Sequence, residues 1–238
     1  MRAVSSFLTP SSRLPLFRSA GPLASTLLLL AACAGEPRPS PADDSTIAPA
    51  ATIPAPAAAP LRSPDRYRVR FETSKGPFVV DVQRALAPRG SDRFYELVTM
   101  GYFSGVRFFR MVPGFIVQFG IHGDPTVNDL WNNATIPDDP IKGRNTRGTM
   151  AFAASGPNTR ATQLFVSTGD NVRKLDGQRL FMPFATVVEG LDVVDQLNAE
   201  YGEEPNFSRI VRQGNRYLQR WFPALDSIVS ATVVSDVR

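Results

Sequence analysis

Residues 66–238 predict a mainly β fold: a closed antiparallel barrel with two helices and a C-terminal extension. Short runs in which apolar and polar residues alternate recur along this stretch, most of them ended by Gly, Pro or Ser, the pattern of strands with one buried face. Only two segments repeat their apolar residues at helical spacing,. An open sheet of many short strands leaves two edges exposed, and closure into a barrel removes both. Hydrophobic residues at 43% and aromatic residues at 10% supply a core for one good domain within the 238 residues,.

Taken in order, Tyr67, Val69 and Phe71 alternate, Ser74-Lys75-Gly76 turns the chain, and PFVVDVQ (77–83) returns it as a β-hairpin,. Pro88 opens a helix to about Met100, with Phe94, Leu97 and Val98 on one face and Gly101 as its stop,. Strands are expected at about 106–112, 115–119, 148–154, 162–168 and 184–189. Gly190 precedes a second helix, LDVVDQLNAEY, whose Val193, Val194 and Leu197 share a face and which ends at Gly202. Residues 204–222 are more than a closing strand requires. In them Tyr217, Leu218, Trp221 and Phe222 make an amphipathic turn or short helix, expected to pack outside the barrel, with a partner-binding patch as the alternative. Ile228 to Val234 reads as the last strand.

Two stretches carry the chemistry. VRFFRMVPGFIVQFG (106–120) sets Arg110, Phe115 and Gln118 on two apolar runs separated by Pro113-Gly114, a strong turn signal,. SGPNTRATQLFVST (155–168) adds Gln163 and Phe165, two apart and therefore on one side of a strand,. One face then gathers a fixed cation, two amides and two rings, a site for a small apolar group joined to a peptide bond. Other candidates are weaker. His122 in GIHGDP reads as a solvated loop residue, and Asp138-Asp139 beside two prolines as a turn rather than a carboxylate dyad. One His and one Cys cannot assemble a soft-ligand metal cluster,. No glycine-rich nucleotide loop is present, so no cofactor is expected,.

The F-x-R-x-x-P-G-F-x-x-Q run beginning at Phe108 and the later G-P-N-T…Q-x-F run resemble cyclophilins, the peptidyl-prolyl cis/trans isomerases, over about Tyr67 to Gly202. The resemblance implies an eight-stranded barrel capped by a helix at each end. It implies that Arg110 and Gln118 are catalytic, and that Phe115, Ile116, Ala154, Gln163, Phe165 and Leu175 bind the proline-containing substrate. Ordinary barrel core is an equal reading for Ile116 and Leu175. There are departures: Ala154 stands where asparagine is frequent, Ile116 replaces a usual methionine, and Lys174 occupies a position commonly held by an aromatic residue. Near Arg179, where a histidine is common, none exists, and Met182 or Phe184 is expected to refill that wall. These losses keep open a second reading, a peptide-binding or holdase module with weak or no isomerase activity. A third is a structural envelope protein that uses its aromatic tail as an interface.

The remaining sequence addresses location. Residues 1–32 contain Arg2, Arg13 and Arg18, no acid, and the apolar run PLASTLLLLAA. That run is shorter than the roughly 20 residues a membrane-spanning helix needs, and reads as an export signal. Leu30-Ala31-Ala32-Cys33 resembles a lipoprotein lipobox, making Cys33 the expected lipidation site and a lipid the expected membrane anchor; a cleaved signal followed by an unpaired thiol is the alternative,. Ala34 rather than an acid after Cys33 suggests the outer membrane of a two-membrane cell. Residues 33–65, with eight prolines and nine alanines from 34 onward, form an expected disordered linker ahead of the domain at 66–238,. Without the first 32 residues, 23 basic side chains face 22 acidic ones, which gives no reason to expect nucleic acid as a partner,. Unfolded or partly folded envelope polypeptides containing proline are the expected partners.

Overall fold

Eight strands make one antiparallel sheet in the computed structural model, which describes residues 52–57 and 61–236. The expected signal, Cys33 and most of the expected linker lie outside the described residues. The strands are β1 (Arg66–Thr73), β2 (Gly76–Gln83), β3 (Arg110–Val112), β4 (Ile116–Phe119), β5 (Thr149–Phe152), β6 (Leu164–Ser167), β7 (Pro183–Glu189) and β8 (Ile228–Asp236). Their spatial order is β3-β4-β6-β5-β7-β2-β1-β8. The sheet curls, and the residues leading into its two outer strands meet. There Arg107 bridges Ser227, Phe108 N donates to Asp226 O at 3.0 Å, and Ile228 N donates to Val106 O at 2.8 Å. Among the described residues no ladder joins β3 to β8 themselves. This seam uses residues 106–108, so the strand expected over 106–112 is reduced to Arg110–Val112.

Alternation decides which face each residue takes. Met111, Val117, Phe119, Met150, Phe152, Leu164 and Val166 point into the main core, while their neighbours Ile116, Ala151 and Phe165 form a separate cluster on the outer face. Phenylalanines fill the interior: Phe71 stacks on Phe78 at 4.7 Å, with Phe94, Phe103 and Phe119 within 6.2 Å of it. Such pairs add about 0.5–1.5 kcal/mol each beyond their burial.

Helix α1 (Pro88–Thr99) buries Phe94, Leu97 and Val98 as expected. Ala87 offers no side-chain cap to its first turn; Asp139 does so from another loop, accepting from Arg89 N and Gly90 N, both at 2.9 Å,. Helix α2 (Pro125–Trp131) falls where the sequence reading placed only a loop. Its start is an Asp124 cap accepting from Thr126 N, followed by Pro125 in the first turn,. A one-turn helix, α3 (Val172–Leu175), follows β6. The second expected helix is shorter than its pattern: α4 is Leu191–Asp195 only. Two further helices, α5 (Phe207–Gln213) and α6 (Asn215–Trp221), replace the single turn expected in the extension. Tyr217, Leu218 and Phe222 pack there with Phe109, Ile121, Ile210 and Leu225 in a second core, while Trp221 stays 59% exposed.

Part of the expected linker is seated on the domain. Ile53 is buried in the main core and Pro54 O accepts from Trp131 Nε1 at 2.9 Å. Ser63 N and Oγ donate to the Asp92 carboxylate at 2.9 and 3.0 Å. A tryptophan N–H and a helix carboxylate thus give these Pro/Ala-rich residues the partners that composition alone cannot supply.

Candidate active site

Arg110, Gln118, Phe165 and Ala151 lie side by side across β3, β4, β6 and β5, each the register partner of the next. All four therefore belong to the outer face, and the row holds Arg110, Gln118 and Phe165 of the expected site. Arg110 Nη1 donates to Gln118 Oε1 at 3.1 Å, and Gln118 Nε2 donates to Gln163 Oε1 at 3.0 Å. Gln118 is 4% exposed, so both of its polar atoms are committed within this chain of side chains,. Gln163 stands just ahead of β6, where its carbonyl accepts from Ala153 N at 2.9 Å and so pins the segment that continues into Ala154. Gly120 makes this approach possible. A Cβ there would lie 2.3 Å from Thr162 O and 2.9 Å from Gln163 Cα, and its φ of +105° suits glycine,.

Beside the polar row is an apolar patch. Ile116, Phe165 and Leu175 are buried together with Ala151, and Phe115, Ala153 and Phe181 lie partly exposed against them. Ile116 and Leu175 thus sit in this outer cluster and not in the main core. Phe115 is placed by the Pro113-Gly114 turn, where Gly114 has φ +70°,. Its carbonyl accepts from Thr168 N at 2.9 Å and from Asn171 Nδ2 at 2.7 Å. Its ring carries two cations nearby, the Arg110 guanidinium at 5.8 Å and Lys174 Nζ at 4.8 Å,. The wall expected from Met182 or Phe184 comes instead from Phe181, whose ring meets Phe165 edge-on at 5.6 Å. Met182 and Phe184 point inward and are wholly buried in the main core, as alternation along the start of β7 requires.

Three contributors were not anticipated. Phe181 lies in a loop without clear periodicity, and Asn171 reads as an ordinary turn residue. Glu203 accepts from Arg110 Nε at 2.7 Å and also from Arg110 Nη2, across 93 residues of chain, so nothing local signals it.

The other polar candidates have structural surroundings. His122 is a half-buried loop residue: its ring lies 5.2 Å from that of Tyr102, and its Nδ1 accepts from Asp124 N at 3.0 Å. Burial lowers its pKa, which keeps the imidazole neutral with Nδ1 as acceptor,. Burial also pushes the Tyr102 hydroxyl up to about 12. Asp138 and Asp139 both face the buried Arg160, at 3.3 and 3.0 Å, and form an ion cluster.

The chain is similar to known proteins in sequence and in fold. A family model described as cyclophilin-type peptidyl-prolyl cis-trans isomerase matches residues 68–215. A peptidyl-prolyl cis-trans isomerase A of Dickeya dadantii is 33% identical over 139 residues, covering 55% of this chain and 70% of that protein. A peptidyl-prolyl cis-trans isomerase-like 1 of Aspergillus niger is 43% identical over 58 residues, 24% of this chain and 34% of its own length. Among solved structures, a cyclophilin-type peptidyl-prolyl cis-trans isomerase of Cryptosporidium parvum superposes with a TM-score of 0.53 at 19% identity, covering 72% of this chain and 99% of the other. That last likeness is one of fold.

Proposed function

The chain belongs to the cyclophilin-type peptidyl-prolyl cis/trans isomerase family, and from that premise we propose that it accelerates X-Pro isomerisation in exported polypeptides by hydrogen bonding from Arg110. The observation that carries the reading is the fixed guanidinium, held by Gln118 and through it by Gln163, beside the apolar patch of Phe115, Ile116, Phe165 and Leu175. The X-Pro amide turns slowly because resonance stiffens its C–N bond, with a barrier of about 18–20 kcal/mol. At the twisted state resonance is lost and the proline nitrogen regains a lone pair. A donor aimed at that nitrogen binds the twisted state better than either planar one, which is what lowers a barrier. Guanidinium suits this role because it stays charged and presents several N–H groups in a fixed plane. The proline ring rests on the apolar patch, while Gln163 and the Ala154 backbone align the peptide.

Removing a donor of this kind costs about 100-fold in rate, or roughly 3 kcal/mol. In a protease-coupled assay on short X-Pro peptides, the full chain is expected to accelerate isomerisation and a folded Arg110→Ala variant to lose nearly all of that effect. A folded variant with undiminished activity would sink the mechanism. A folded wild type without any acceleration would leave the peptide-holding module.

Export and anchoring rest on the sequence alone: the apolar run before Cys33, the lipobox-like Leu30-Ala31-Ala32-Cys33, and the Pro/Ala-rich stretch behind it. Three kinds of signal in that order suit a domain tethered by lipid and facing envelope polypeptides, where isomerisation, an equilibrium process, needs no ATP. Cys33→Ser is expected to abolish labelled fatty-acid incorporation and release the protein from membranes. Retained label would remove the anchor from the reading.

A further inference from the structure

We infer that Glu203, supplied by the segment leading into the α5–α6 extension, is a positioning residue for Arg110. The inference rests on the arginine mechanism proposed above. A guanidinium has five N–H groups. Here Glu203 Oε1 accepts from Nε, at 2.7 Å, and from Nη2, and Gln118 Oε1 takes one N–H of Nη1 at 3.1 Å. Two N–H groups, one on each Nη, remain for a substrate. Gln118 alone would leave the long side chain free to rotate about its contact; acceptors at two edges of the guanidinium, Nη1 on one and Nε with Nη2 on the other, define the orientation of its plane.

The carboxylate is itself delivered by a fastened segment. Gly202 O accepts from Met111 N at 3.2 Å, so the residue before Glu203 is bonded to the residue after Arg110. Tyr201 packs edge-on against Phe222 at 5.2 Å, and its hydroxyl accepts from Ala224 N at 3.3 Å. Phe109, the residue before Arg110, is fully buried in the second core with Leu218 and Phe222. The extension therefore packs beneath Arg110, and the residue just ahead of it supplies an acceptor on the guanidinium. This gives a role to a residue just past Gly202, outside the two motifs that carry the resemblance but within the stretch that the family model matches.

Magnitude argues for orientation over stability. Glu203 is 62% exposed and Arg110 22% exposed, and ion pairs so open to water contribute little to folding. Misplacing a reacting group by about 1 Å, in contrast, costs up to roughly 100-fold in rate.

The experiment compares wild type, Glu203→Ala, Glu203→Gln, Arg110→Ala and the Arg110→Ala/Glu203→Ala double variant of the full chain. The readouts are kcat and KM for an X-Pro peptide, the unfolding midpoint, and the NMR signal of the Arg110 Nε–H. Glu203→Ala is expected to lower kcat about tenfold with KM nearly unchanged, to leave the unfolding midpoint in place, and to shift the Nε–H signal to that of a free guanidinium. Glu203→Gln, which keeps an acceptor oxygen, is expected to recover most of the rate. The double variant is expected to be no slower than Arg110→Ala. Wild-type or higher activity in Glu203→Ala while Arg110→Ala is impaired would overturn the Glu203 role alone. Unimpaired Arg110→Ala would overturn the arginine mechanism and this inference with it.

Discussion

Arg160 exposes none of its side chain and faces two carboxylates, Asp139 through Nη1 at 3.0 Å and Asp138 through Nε at 3.3 Å. Asp139 is equally buried, and the same carboxylate caps the first turn of α1. Asp138 exchanges two further bonds with Asn158, its N–H donating to Asn158 Oδ1 at 2.8 Å and its carboxylate accepting from Asn158 N at 2.9 Å. A single arginine thus ties helix α1 to the loop between Ala154 and Gln163. Losing its charge leaves the buried Asp139 with two backbone N–H donors and only a distant cation, Arg89 Nη1 at 3.9 Å. Breaking a buried pair from one side costs about 3–5 kcal/mol. Arg160→Met, close in volume, is expected to lose that much in urea unfolding, and a second change, Asp139→Asn, to return part of it. A cost below about 1 kcal/mol would mean that the cluster behaves as a surface pair.

At the scale of elements, what could be read from the sequence is what local pattern determines. The β1–β2 hairpin forms from its own alternation around Ser74-Lys75-Gly76, and α1 buries the face its spacing marks. Arg110, Phe115, Gln118, Gln163 and Phe165 were legible as a group because two local motifs hold them on, or one residue ahead of, strands joined through β4. Elsewhere distant partners override pattern. The helical spacing after Gly190 runs on to Tyr201, yet α4 stops at Asp195, because Asn198 N is drawn to the buried Asp226 carboxylate at 2.7 Å. Residues 106–108 alternate like a strand but are used at the seam with 226–228. Helix α2 is a different case: Asp124-Pro125 is a recognisable helix start, obscured by the Gly and Pro around it. Phe181, Asn171 and Glu203 carry no signature at all, since each acquires its role from a partner in another part of the chain.

Across the whole molecule, titration links the site-bearing sheet to the segment that precedes it. Asp92 on α1 accepts from Ser63 N and Oγ and from Arg84 Nε and Nη2, at 2.8–3.0 Å. Burial opposes its charge, but these donors outweigh burial and hold its pKa below the usual 3.8,. Asp176 is similar: burial is overcome by donors from Asn145 and by Arg144. Bonds from Thr126 lower Asp124 as well. His122 shifts downward too, chiefly through burial, but as a base it acts in another window. For each carboxylate the unfolded chain takes up a proton first as pH falls, so its contribution is complete above the unfolded pKa of 3.8 and is lost below it, through the lower folded value,. For His122 the unfolded state likewise protonates first, so stability begins to decline as pH falls below 6.5,. Acid should therefore weaken the protein in two stages. The variant Asp92→Asn isolates one contribution because the other groups titrate alike in both proteins. Hydrogen bonds to a charged group are worth about 1.5–3 kcal/mol, and the variant is expected to be less stable by that amount at neutral pH. Urea unfolding of both proteins at falling pH is then expected to show the gap constant down to pH 3.8 and closing below it. A gap that persisted unchanged to about pH 2 would show that the Asp92 contacts stabilise the fold independently of its charge.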